Sequence, residues 1–318
     1  APRTWRSTRC RRSWKRFVKM SKELSGVMNT RLTVQAVAAF NAGKIEQSGL
    51  LFWRAAHLAP SYCSLHNYAV YLSDNALYIP IGGGKYAAIK KQPSILYYLK
   101  RAQHLATIPH WKNEAALGNA CYLQRRPNEA LAYFEQAMLH GYKETLAHFK
   151  MGLCYLQKRE DAAARDCFWA AYEAEENLAQ KSSYLWQCVQ CGVLLKAQSP
   201  ALYGQFKQQL ERIVQDYPLM SLEVQDMAAL ELLNGIDAAF WFEDYEEILH
   251  LSKVLLQLGL SYMLTADERR MVDTAQALQS HLGQPDARFR AEYRQGLEQD
   301  ARTLYFQIWQ DADYFELP

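Results

Sequence analysis

Beyond residue 28, apolar positions recur at helical spacing, in runs broken by short polar or Gly- and Pro-containing segments, so the chain reads as a succession of amphipathic helices. Between Ala115 and Ala171 a second, longer interval is superimposed. Gly118, Ala130, Phe134 and Ala137 are answered 34 residues later by Gly152, Ala164, Phe168 and Ala171. A fixed period of this length marks a helical repeat array. In each unit a Gly stands where two helices must approach closely. A short polar break follows, and then Ala, an aromatic residue and Ala recur on one face of a second helix. The predicted unit is a helix-turn-helix pair packed through small residues.

This register and composition resemble the tetratricopeptide repeat (TPR) family, most strongly over residues 29–62 and 111–178. The resemblance implies an all-α, right-handed solenoid of about seven TPR-like hairpins. In the first repeat, Ala36, Ser48, Phe52 and Ala55 hold the four diagnostic positions, Gly43 sits in the turn and Pro60 closes the unit. Each of the four lies 82 residues before its counterpart in the third repeat, and two periods account for only 68 of these, so the second repeat carries about 14 extra residues. The excess falls in residues 76–93, ALYIPIGGGKYAAIKKQP, where Pro80, three glycines and Pro93 break the helical pattern. GGGK is not a phosphate loop: Lys85 precedes Tyr86 rather than Ser or Thr, and Ile79 stands where the first Gly would be needed. The insertion is expected to be a loop or short hairpin projecting from one rim.

Past residue 178 the repeat signature decays while the helical period persists. Helices are expected at about 179–196, 199–217, 221–242, 245–260, 265–282 and 286–309, the fifth of them opening with a capping box from Thr265 to Glu268. The domain reading is a basic leader (1–28) outside the fold, TPR repeats (29–178), and degenerate hairpins with a C-terminal cap (179–318). Length does not argue against one array, because each repeat of a solenoid packs only on its neighbours. Tyr305, Phe306, Trp309, Tyr314 and Phe315 crowd the last stretch and call for packing on the preceding hairpin or against another molecule.

Charge adds one asymmetry. Nine of the 36 Lys and Arg lie in residues 1–22, which hold no acid, leaving 27 bases against 33 acids in the rest. The mildly acidic body gives no support for nucleic-acid binding by the repeats. The basic segment admits a mitochondrial-type targeting segment, a basic arm, or a leader ahead of Met20. No apolar run approaches the ~20 residues of a membrane span. Seven scattered cysteines fit a reducing compartment, so the expected location is cytoplasmic, with organelle targeting through the leader as the alternative. The Cys188/Cys191 pair reads as small residues packed between helices rather than a metal or redox site.

The eight histidines show no paired spacing, and titratable groups are spread along helices rather than converging. The chain is therefore read as a non-enzyme with no cofactor and no metal. What the TPR resemblance implies instead is a concave groove lined by the first helix of each pair, binding a protein or peptide segment. The lining residues it assigns are Phe40, Asn119, Tyr122, Phe149, Leu153, Leu156, Phe240 and Trp241, with Asp237 beside the last two. Asn119 and Lys150 occupy positions used by family members that grip a C-terminal carboxylate, but the matching partners here are Thr33, Val37 and Ala116, so that clamp is incomplete. A second reading of the apolar lining is that neighbouring helices or the inserted loop bury it. The function expected is an interaction scaffold or adaptor. The alternatives are the scaffold portion of a larger enzyme or regulator, and a targeted or secretion chaperone.

Overall fold

Helices of 13 to 20 residues follow one another along the chain. The computed structural model describes residues 27–74, 78–82, 85–88, 92–195, 199–280 and 287–301. In order these form α1 (27–41), α2 (Ile45–Leu58), α3 (Tyr62–Asp74), β1 (Tyr78–Gly82), β2 (Lys85–Ala88), α4 (Gln92–Leu105), α5 (Trp111–Leu123), α6 (Pro127–Leu139), α7 (Glu144–Lys158), α8 (Asp161–Ala174), α9 (Leu178–Leu194), α10 (Pro200–Asp216), α11 (Leu222–Trp241), α12 (Tyr245–Gln257), α13 (Ala266–Gln279) and α14 (Ala287–Ala301). The expectations for the basic leader up to residue 26 and for the aromatic residues after 304 lie outside the described residues.

The chain divides into two compact units, one holding α1 to α6 with the inserted strands, the other α7 to α14, with the boundary at Gly141/Tyr142. In the first unit α3 packs on α4 and α5 on α6, with α2 against α3 and α4 against α5. In the second, α7 pairs with α8, α9 with α10 and α11 with α12, while α9, α11 and α13 also touch one another in succession. In the second unit α9 and α11 are therefore each contacted by their partner and by the first helix of the next pair. Each is hemmed in on several sides.

The diagnostic positions explain the local packing. Ala36, Ser48, Phe52 and Ala55, then Ala130, Phe134 and Ala137, then Ala164, Phe168 and Ala171, are all fully buried. The turns between paired helices share one closure as well. Gly43, Arg125, Arg159 and Glu243 adopt left-handed backbone conformations with φ of 71°, 60°, 63° and 57°. In each case the next residue donates its N–H back across the helix end: Lys44 to Ala39, Arg126 to Cys121, Glu160 to Tyr155 and Asp244 to Ala239. This is the hydrogen-bond pattern of a Schellman closure, and it satisfies carbonyls that the helix end would leave unpaired. Entry to the helices is marked too. Asn177, Ser199 and Asp244 accept backbone N–H groups at the starts of α9, α10 and α12, and Thr265 and Glu268 form the reciprocal capping box of α13.

The insertion in the second repeat is a two-stranded antiparallel hairpin. Tyr78 pairs with Ala88, Ile79 with Ala87 and Pro80 with Tyr86, and the register shifts between Pro80 and Gly82. That irregularity falls where Pro80 cannot donate to a ladder.

Candidate partner-binding faces

The placement of the expected groove residues follows from how the first helices are hemmed in. In α5 every residue from Asn113 to Leu123 is buried, Asn119 and Tyr122 among them. Phe40 on α1 is half-buried. In the second unit, Phe149, Leu153 and Leu156 are buried on α7, as are Phe240 and Trp241 on α11. The Phe149 ring lies 5.7 Å from Phe168 on α8 and 5.4 Å from Tyr184 on α9, so it joins two successive pairs. Phe240 meets Phe289 at 5.4 Å and Tyr293 at 6.0 Å, and Trp241 meets Tyr293 at 6.1 Å. The structure thus brings Phe240 and Trp241 together with two aromatics of α14. Lys150 is fully buried with its ammonium 5.7 Å from the Tyr142 ring centre. Leu146 and Gln157 of α7 keep partly exposed surface.

Sequence reasoning assigned Asp237 to the groove but passed over the polar stripe in the second unit to which it belongs. On α11, Glu231, Asn234 and Asp237 follow one another at three-residue spacing, and on α9 Ser183, Gln187 and Gln190 do so at helical spacing. Polar groups at that interval inside otherwise apolar helices were the available signal. Gln190, Asn234 and Asp237 of this stripe line a pocket of about 370 Å³, together with Trp186, Arg270 and Tyr293 among others. Glu231 is only 5% exposed. It hydrogen-bonds Asn234 and Ser183, but burial dominates and pushes its carboxyl up to about 8. Its Oε2 makes no hydrogen bond, nor do the Oε1 atoms of Gln187 and Gln190. Burial likewise raises Asp237 to about 8, aided by the charges of Glu268 and Asp267 and opposed by a hydrogen bond from Tyr293.

In the first unit a smaller pocket of about 260 Å³ is lined by Tyr62, His110, Asn113 and Glu114 among others. The Tyr62 ring stacks on His110 at 4.0 Å and on His66 at 5.7 Å. His66 Nδ1 lies 3.0 Å from Asn113 Oδ1, and the Asn113 amide donates to the Leu99 carbonyl. These bonds tie α3, α4 and α5 together.

Three thiols are held far from reactivity. Burial pushes Cys188 up to about 12 and Cys121 and Cys167 up to about 11. Among the described residues no group of three or more His, Cys, Asp or Glu is arranged to hold a metal ion, and no helix is long and apolar enough to cross a membrane.

The chain matches no protein-family model and no curated protein sequence. Among solved structures it is similar to PilF of Pseudomonas aeruginosa, with 17% identity and a TM-score of 0.51 over 81% of this chain and 99% of that one. It is also similar to a tetratricopeptide repeat protein of Parabacteroides merdae (12% identity, TM-score 0.46, 85% and 98% covered). A third likeness is to YrrB, a TPR protein described as having an unusual peptide-binding site (12% identity, TM-score 0.44, 56% and 84% covered). The 34-residue period, the paired helices it specifies and the likeness to PilF converge: the chain has the fold of the tetratricopeptide repeat proteins.

Proposed function

We propose that the chain is a protein or peptide interaction module that binds a partner segment against the first helices of its repeats. The observation that carries the reading is the pocket on α9, α11, α13 and α14, where the first helices of successive pairs expose amides, carboxyls and aromatic rings beside Phe240 and Trp241. Amides fix an extended backbone and aromatic rings supply anchors, which is the chemistry of peptide recognition. In the second unit Phe149, Leu153 and Leu156 shape the floor of the proposed groove from within the core, while Leu146 and Gln157 reach its surface; in the first unit, taken by itself, Asn119 and Tyr122 lie in the core and Phe40 reaches the surface. The reading is non-catalytic, since no activated nucleophile emerges from the buried thiols. The test is selection of displayed peptides on the immobilised full chain, followed by affinity measurement with Leu146→Asp on α7 and Asn234→Leu in the pocket. Enriched peptides whose affinity falls about tenfold or more in either variant support the groove. Failure to enrich any peptide, or affinities unchanged in both variants, overturns it.

A further inference from the structure

The pocket of the second unit has a chemical bias in what it leaves unsatisfied. Gln187 Oε1 and Gln190 Oε1 make no hydrogen bond, and both are acceptors. Gln187 is only 5% exposed, so its oxygen is not compensated by bulk water. Gln190 lines the cavity beside Asn234, so one unsatisfied acceptor stands at its wall. The walls are aromatic: Trp186, Phe289 and Tyr293 stand among the lining residues. One cation already uses such a face, the Arg270 guanidinium lying 4.0 Å from the centre of the Phe289 ring.

Acids outnumber bases here. Asp237 on α11 shares the cavity with Asp267 and Arg270 of α13 and Glu292 of α14. Glu231 stands on the same helix, and Glu268 adds its charge from α13. On α14, Arg288 is paired with Glu292 and Arg290 with Glu243. A ligand suited to this site brings several donors on one positive group and a stem that packs on aromatic rings. An ammonium offers three donors and a guanidinium five, each on an aliphatic stem.

We propose that this pocket receives a lysine or arginine side chain of the bound segment, with Asp237 as its principal counter-charge and Trp186 and Tyr293 as its walls. The inference rests on the interaction-module reading and specifies the partner's chemistry. A volume of about 370 Å³ lies at the lower end of ordinary ligand pockets, enough for one side chain with water. Because Asp237 holds its proton up to about 8, an entering cation meets a neutral acid at pH 7 and a carboxylate at pH 9. Lysine and arginine stay charged across that interval, so the pocket's preference for them strengthens as pH rises.

The test uses the full chain and a positional-scanning library of acetylated, amidated dodecapeptides, read by fluorescence polarisation at pH 7 and pH 9. Each fixed position carries arginine, lysine, their uncharged counterparts citrulline and norleucine, or glutamate. At one position the cationic peptides are expected to bind about tenfold tighter than the uncharged ones, with a margin that widens several-fold at pH 9. Asp237→Asn, which imitates the protonated acid, is expected to keep the pH 7 margin within about twofold of the parent's and to abolish the widening at pH 9. Gln190→Leu, which removes one acceptor and keeps the volume, narrows the margin. Peptides that bind without preferring a cation anywhere, or a pH 9 margin unchanged in both variants, overturn the inference while leaving the interaction-module reading in place. If no peptide binds, both fall.

Discussion

The ring of Phe168 fills the space where a Cβ on Gly152 would stand, with its nearest atom 2.5 Å from that position, and one repeat earlier Phe134 does the same to Gly118 at 2.6 Å. Both rings are fully buried, and Phe168 also contacts Phe149, so neither can swing aside freely. The second helix of each pair is thus keyed to the first through a missing side chain.

Gly152→Ala and Gly118→Ala are therefore expected to destabilise the protein, although alanine is the better helix former. The propensity gain is about 1 kcal/mol. Forcing a methyl into a packed ring costs about 1–3 kcal/mol, and the steric term wins where the ring is held from behind. Gly204, inside α10 with nothing within 4 Å of its would-be Cβ, is the control, and Gly204→Ala should stabilise by about 0.5–1 kcal/mol. Urea denaturation of the three variants decides it. Stabilisation in all three would mean that the rings yield.

Arg125 and Arg159 close their helices in the left-handed region, where a Cβ is strained, and the first repeat uses Gly43 at the equivalent turn. Arg125→Gly and Arg159→Gly should each raise stability by about 0.5 kcal/mol, the relief of strain exceeding the added flexibility of the unfolded chain. The shift is read as an increase in urea midpoint at unchanged slope. A loss would indicate that the arginine side chains contribute more than their backbone costs.

Glu231 makes stability depend on pH in an unusual direction. In the unfolded chain its carboxyl ionises near the ordinary value of 4.5, whereas in the fold burial keeps it protonated up to about 8. Between those limits the folded state binds the extra proton, so this residue's contribution falls as pH rises through the window. Asp237 acts in the same sense. Glu231→Gln removes the ionisable group while retaining the bonds to Asn234 and Ser183, so it should stabilise by about 1 kcal/mol or more at pH 8 and by little at pH 4.5. Thermal melts at the two pH values test it. An equal effect at both would rule out protonation as the cause.

How far these features could be read in advance depends on their span along the chain. The Gly118–Phe134 and Gly152–Phe168 contacts join residues 16 apart within one repeat, so the pattern that specifies them recurs with the period and announces itself. The same holds for the Thr265–Glu268 capping box, a contact within one turn. The pocket is different: its groups come from α9, α11, α13 and α14, and no local spacing links Gln190 to Tyr293. Periodicity is equally silent on whether the apolar face of a first helix is open or hemmed in by the next pair, which decides how Asn119, Tyr122 and Phe149 are presented.

The sequence by itself determined the repeat length, the helix pairing, the place of the insertion and the small residues at each crossing, because all of these are fixed by side chains one turn or one hairpin apart. Only the tertiary structure decided that α5 is enclosed from Asn113 to Leu123 and that Glu231 and Asp237 hold their protons, the latter at the wall of a cavity. Those properties arise from solvent exclusion by segments distant along the chain, and burial of that kind is a sum over neighbours that no single stretch of sequence contains.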